Sequence, residues 1–469
     1  MIHPDNVPQT SERDSTAILL HAAAQRAVNY LESISERRVF PSQEVLSELA
    51  KLGGSLPELP ESPADVLALL DRVGSPATVA ITGGRYFGFV SGGALPATVA
   101  ANWLAAAWDQ NACLRVLSPV AAQLEDITLA WLLELFGFPP GCAGAFVTGA
   151  QMATFTALAA ARHAVLARSG WNVEADGLFG APPIDIVVGE EVHATVLKAL
   201  AMLGLGRDRV KKAPCDRQGR MRADAIPRGD GPTIICTQAG NVNTGSFDPV
   251  QEIRELTRSG NVWVHVDGAF GVWATVLPEL RELTKGVDAA DSWGVDAHKW
   301  LNVPHDSGIA IVREPSHLHA AMTISAPYLA QGSAREPMQW VPESTRRARA
   351  IEIWTALRTL GRVGVAELVR RCCRHAVAFA DGLRAAGFEI LNEVKLNQVL
   401  VAFGDDATTV RVIEGIQRDG TCWCGGTTWQ GRKAMRISVS SWMTTEGDVE
   451  RSLSAMLKVA RETRKGGEL

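Results

Sequence analysis

From Pro119 to Arg313 the chain alternates short apolar, β-branched runs with longer helical stretches, and few architectures accept that alternation. Pro119–Phe136 has the apolar periodicity of a helix. A short strand at Ala145–Thr148 follows, then a helix over Met152–Arg168. Ile184–Val188, Thr233–Thr237 and Val262–Val266 read as buried strands, with helices at Val192–Met202 and Val250–Ser259 between them. Ser292–Val295 and Gly308–Val312 are two further apolar strands. Such a series implies an α/β fold with a mainly parallel sheet covered on both faces. Ligands in these sheets bind outside the carboxyl ends of the strands. Thr148–Gln151, Glu190–His193, Gln238–Thr244, Asp267–Phe270 and Asp296–Lys299 therefore draw attention first.

The flanks have a different character. Residues 1–80 carry a helix at Ser15–Ser33 and the Pro-rich run Leu56–Pro63, a pattern suited to an arm lying over another surface. Residues 81–335 hold the sheet. Residues 336–469 read as a smaller α+β domain. There a long helix runs toward Ala386 from the basic start Thr345–Arg349, followed by strands at Phe388–Leu391, Asn397–Phe403 and Ala434–Ser440 and helices at Thr409–Arg418 and Glu446–Lys465. With 469 residues, two or three domains are expected.

Composition removes several classes of function. A net charge of −5 gives no electrostatic footprint for nucleic acid. No apolar run is long enough to cross a bilayer, and the first residues lack the basic and apolar regions of a secretory signal, so a cytoplasmic protein is expected. The 8 cysteines are too sparse for a disulfide scaffold. Cys422 and Cys424 would share one face of a strand, but zinc wants four ligands and no second cluster is near, so no metal is expected. Gly204–Arg209 lacks the third glycine of a dinucleotide loop and follows a helix, and no phosphate loop ending in Gly-Lys-Ser/Thr exists.

The strand-end residues suit pyridoxal phosphate (PLP). That cofactor needs a lysine for its aldehyde, an acid for its pyridine nitrogen and helix-start amides for its phosphate. Val264–Ala269 ends a buried strand in Asp267 followed by small residues, against which a planar ring can lie. Val295–Trp300 ends another strand near Lys299. Thr148–Gln151 opens a helix with no bulky group at its mouth.

His298-Lys299-Trp300, Val266–Ala269 and Asn241–Pro249 resemble the PLP-dependent group II amino-acid decarboxylases, among them the aromatic amino-acid and glutamate decarboxylases. The likeness runs from about Arg85–Phe89 to Arg436–Val439. It implies the fold-type-I transferase architecture, with a mainly parallel seven-stranded sheet in the large domain. It also implies a homodimer with active sites between subunits and the N-terminal arm wrapped over the partner. By this resemblance Lys299 is the Schiff-base lysine, Asp267 pairs with the pyridinium nitrogen, and His193 stacks on the ring. Ala269 is the small residue under the ring. Gly149, Ala150 and Gln151 meet the phosphate with Thr154 just inside the helix, although Gln151 stands where relatives carry Ser or Thr. His298 reaches the phosphate or the substrate carboxylate. Asp296 stands near the phosphate where many relatives carry Asn, and a carboxylate there would repel the dianion. One of Val242, Asn243 and Thr244 contacts the cofactor near its ring oxygen. Arg436 is placed either to hold the substrate carboxylate or to make an interdomain salt bridge. Phe87, Phe89 and Ser91 line an apolar pocket or belong to the core. A segment matching Gln110–Leu114 enters from the partner, and Arg85 and Arg115 are the cations to consider for an acidic substrate.

The resemblance implies decarboxylation of an L-amino acid, aromatic by weak preference, to amine and CO2. One departure bears on the product. The family's proton donor is commonly a Tyr on a loop after the lysine domain, and the matching stretch Gln331–Glu343 has none. Tyr328 or His193 would have to serve. Aldehyde synthesis, carbon–carbon lysis of a β-hydroxy amine or amino acid, and a binding module that has lost activity are the competing readings.

Overall fold

A computed structural model describes residues 15–227, 229–324 and 335–465. Its larger sheet is built from β1 (Ala143–Val147), β2 (Asp185–Gly189), β3 (Lys211–Ala213), β4 (Thr233–Gln238), β5 (Val262–Asp267), β6 (Ser292–Asp296) and β7 (Gly308–Val312). The spatial order is β1-β7-β6-β5-β4-β2-β3. β7 runs antiparallel to both neighbours, and the remaining pairs are parallel. This is the mainly parallel seven-stranded sheet of the fold-type-I transferases.

Both faces of the sheet are buried, which is why β4 to β7 lack an alternating polar face. On one side Trp263, Ile234 and Val188 pack under the helices Ala150–Ala167 and Ala194–Met202. On the other, Val264, Val266, Trp293 and Ile309 meet the helix Pro119–Phe136 and part of the long helix Ala350–Ala385. The long helix is interrupted at Gly361, whose φ of 59° is left-handed. It begins later than its basic start suggested. Arg346 is buried against Glu125 at 2.6 Å, and Arg349 bonds Asp306 at 3.1 Å, so these residues serve ion pairs before the helix begins.

The second sheet, ordered β10-β11-β9-β8, comprises β8 (Glu389–Ile390), β9 (Gln398–Ala402), β10 (Gly425–Trp429) and β11 (Arg432–Ser438). β10 begins with two glycines and has no Val, Ile or Leu, its β-branched residues being Thr427 and Thr428, so the sequence did not mark it. Cys422 and Cys424 precede it and are buried, and no metal-binding cluster occurs among the described residues. All 8 cysteines are free. No helix among the described residues is long and apolar enough to cross a membrane.

Candidate active site

The parallel register sets the site. Gln238 of β4 lies beside Asp267 of β5, and Asp267 beside Gly294 of β6, so the strands end at one edge. A cavity of about 210 Å3 opens there. Its wall contains Gly149, Ala150 and Gln151 at the start of helix Ala150–Ala167 and His193 at the cap of Ala194–Met202. Asp267 and Ala269 after β5, and Asp296, His298 and Lys299 after β6, complete that set. Sequence reasoning brought these nine together.

Lysine and acid are held by close backbone approach. Lys299 sits in the helical turn Ala297–Trp300, and its Nζ lies 3.0 Å from Asp296 Oδ2 and 5.9 Å from the centre of the Phe270 ring. Gly92 is required beneath it, because an added Cβ would collide with the Lys299 carbonyl. Gly308 is required at the helix start, where a Cβ would strike the backbone of Gly149. Asp296 Oδ1 accepts the Ala150 N–H at 2.5 Å and lies 3.4 Å from His298 Nε2.

Asp267 is buried, and the hydrogen bond it receives comes from Ala269 N at 3.3 Å. Burial pushes its carboxyl upward from the ordinary carboxylate range, while His193 and Lys299 oppose that shift. His193 accepts the Thr195 N–H at Nδ1, which also lies 2.6 Å from Thr195 Oγ1. An accepting Nδ1 leaves the proton of the neutral ring on Nε2. Burial lowers the His193 pKa, with Asp267 opposing and Lys299 and Arg436 assisting, so the neutral ring is favoured. Arg436 lies in β11 and donates to the carbonyl of Val242, which lines the cavity, at 3.1 Å. No carboxylate pairs with it among the described residues, so the interdomain salt bridge is absent.

Other expectations are corrected. Thr244 is not on the cavity wall: its hydroxyl donates to the Gln218 carbonyl at 2.7 Å, because Asn241 folds the loop by accepting the Asn243 and Thr244 amides. Val242 faces the cavity instead. Phe87 is 0% exposed and packs edge-on against Phe379, so it belongs to the core. Phe89 is 64% exposed and stacks on Trp423 at 5.5 Å. Ser91 is half-buried and absent from the cavity wall. Arg85 is consumed by the Ser35 and Arg37 carbonyls, and Arg115 by Asp126. Tyr328 lies outside the described residues. Gln238, Gly240 and Phe270, within the strand ends marked from the sequence but given no role there, also line the cavity, as does Thr195, which sequence reasoning missed. Its place two residues after His193 was the available signal.

The donor set suits PLP on its own terms. A buried carboxylate without a hydrogen-bonded cation fits a protonated ring nitrogen, and the helix start has no side-chain cap from Gly149, Asp296 being the group that holds its first amide. The family model described as "Pyridoxal-dependent decarboxylase conserved domain" matches residues 54–404. The chain belongs to that family. It is a PLP-dependent carboxy-lyase of amino acids. It is 26% identical over 348 residues to the aromatic-L-amino-acid decarboxylase of Bacillus atrophaeus, covering 71% of this chain and 69% of the relative. It is 25% identical over 503 residues to tryptophan decarboxylase 1 of Oryza sativa subsp. japonica, covering 97% and 95%. The fold matches Oryza sativa TDC solved with PLP and tryptamine, with a TM-score of 0.88, 22% identity and 97% and 99% coverage. It also matches Rhodiola rosea 4-hydroxyphenylacetaldehyde synthase, with a TM-score of 0.81, 21% identity and 94% and 98% coverage.

Proposed function

We propose that this member of the pyridoxal-dependent decarboxylases removes CO2 from an aromatic L-amino acid and releases the amine. The observation that carries the proposal is the convergence of Lys299, Asp267 and His193 on one cavity, with the acid-free Arg436 bonded to its wall. When bound, the cofactor supplies an electron sink for the bond that breaks. Lys299 would hold it covalently through Nζ. Asp267 would accept the ring N–H, and that pairing relieves the cost of its burial. The Ala150 and Gln151 amides would take the phosphate at the positive end of the helix. Arg436, which stays protonated despite burial, would grip the substrate carboxylate and so fix which bond is presented for cleavage. His193, protonated on both ring nitrogens with Asp267 favouring that charge, would deliver the proton from Nε2 to the carbon that has lost CO2.

An acidic side chain is disfavoured because Arg85 and Arg115 are already bound elsewhere, and the aromatic assignment draws on the likeness to the aromatic-L-amino-acid decarboxylase of Bacillus atrophaeus. The aldehyde-forming reading draws on the Tyr-free stretch Gln331–Glu343, whose described part packs Met338 on Cys113. We further infer a homodimer. Leu20, Leu70, Trp103, Leu104 and Trp108 are exposed, and the helix Thr16–Glu32 has no buried residue, so this apolar side suits a second copy. An arm over 1–80, a large domain over 81–335 and a small one over 336–469 fit that arrangement. Free cysteines suit a reducing, cytoplasmic setting.

Purified protein with PLP and a panel of L-amino acids tests the reaction when CO2, amine, aldehyde and peroxide are recorded together. Amine equal to CO2, greatest for aromatic substrates, is expected. Aldehyde with ammonia and peroxide would transfer the assignment to the aldehyde-forming reading.

A further inference from the structure

One carboxylate spans the two groups that a PLP molecule would engage. Asp296 is 3% exposed, accepts the first amide of helix Ala150–Ala167 through Oδ1, and lies 3.0 Å from Lys299 through Oδ2. The helix has no side-chain cap of its own, since Gly149 precedes it, so Asp296 reaches it from 146 residues away. The surrounding backbone is stripped to glycine at 149 and 308, which lets an anion approach the helix start. A phosphate seeking the same N–H meets a carboxylate already there, and two anions cannot share one donor without repulsion.

We propose that Asp296 competes with the cofactor's phosphate for the helix start, so that it weakens cofactor retention and speeds exchange. Phosphate entry requires the Asp296 carboxylate to give up the Ala150 N–H. His298 Nε2, 3.4 Å from the same oxygen, is the neighbouring polar group beside which the displaced carboxylate can remain. Asp296 is a positioning residue here. This inference rests on the assignment of the cavity to PLP.

The test is equilibrium and stopped-flow binding to the full-length apoenzyme, comparing wild type with Asp296→Asn, using PLP and unphosphorylated pyridoxal as probes. Asn keeps the side-chain shape and an oxygen for the amide while removing the charge. A charge-assisted contact is worth enough that PLP should bind about tenfold more tightly and dissociate more slowly in the variant. Pyridoxal affinity should change little, because it brings no phosphate. Equal affinities for PLP in the two proteins, or the same shift for pyridoxal, would overturn the proposal. If the variant does not fold, crystal structures of wild-type apoenzyme and holoenzyme decide. Asp296 leaving the Ala150 N–H on PLP binding supports the competition, and Asp296 retaining that bond refutes it. Failure of the wild-type protein to bind PLP would instead refute the assignment of the site.

Discussion

Arg436→Met separates a substrate clamp from a structural brace. In the folded protein Arg436 is half-buried, and its one hydrogen bond among the described residues goes to the Val242 carbonyl. Removing it loses that bond, about 1 kcal/mol, and also relieves the desolvation of a half-buried cation. The two effects oppose, so stability should change by no more than about 1 kcal/mol. Catalysis should respond quite differently. A two-pronged charge-assisted grip on a carboxylate is worth roughly 3 kcal/mol, and its loss lowers kcat/KM roughly a hundredfold. The assay pairs steady-state CO2 release from the preferred amino acid with thermal unfolding of the PLP-loaded variant. A large fall in Tm with kcat/KM preserved would refute the clamp and make Arg436 an interdomain brace.

Two further substitutions probe other parts of the structure. Phe87→Ala, which removes a fully buried ring packed on Phe379, should cost about 3–5 kcal/mol in urea unfolding and leave KM for the folded fraction unchanged. A KM change with little loss of stability would return Phe87 to the substrate pocket. His265 lies beneath Asp267 on β5, with Nδ1 2.9 Å from Ser292 Oγ, and burial pushes its pKa down to about 3 from 6.5. Its neutral form is favoured in the folded state, so its contribution is complete above pH 6.5 and is lost as pH falls toward 3. The loss is about 1.4 kcal/mol per pH unit. His265→Asn should flatten the pH dependence of unfolding between pH 6.5 and 4.5 by about 2–3 kcal/mol, and an unchanged slope would contradict the burial argument.

Six of the seven strands of the larger sheet were legible because burial on both sheet faces demands continuous apolar runs such as Val262–Val266 and Gly308–Val312, whereas β3, three residues headed by Lys211 and Lys212, carries no such run and was not marked. The strand ends were legible for a related reason: polar residues such as Asp267 and Lys299 directly after such runs stand out. What escaped was local geometry. Phe89 and Val90 have φ of 51° and 59°, which turns the chain and spoils any guess from alternation about which phenylalanine faces out. Asn241 commits Thr244 to a turn, an arrangement that spacing alone did not disclose. Arg346 read as part of the basic start of a long helix because its partner, Glu125, is 221 residues away in sequence. Asp296 drew notice as a departure from its relatives, but its reach to both Ala150 and Lys299 is visible only in three dimensions.

Reduction of the PLP-loaded protein with borohydride, followed by peptide mapping, tests the assignment of the cavity most directly. The cofactor mass should be found on the peptide containing Lys299, and Lys299→Ala should lose both the label and CO2 release. Label on another lysine, or an unlabelled wild-type protein that still releases CO2, would contradict it.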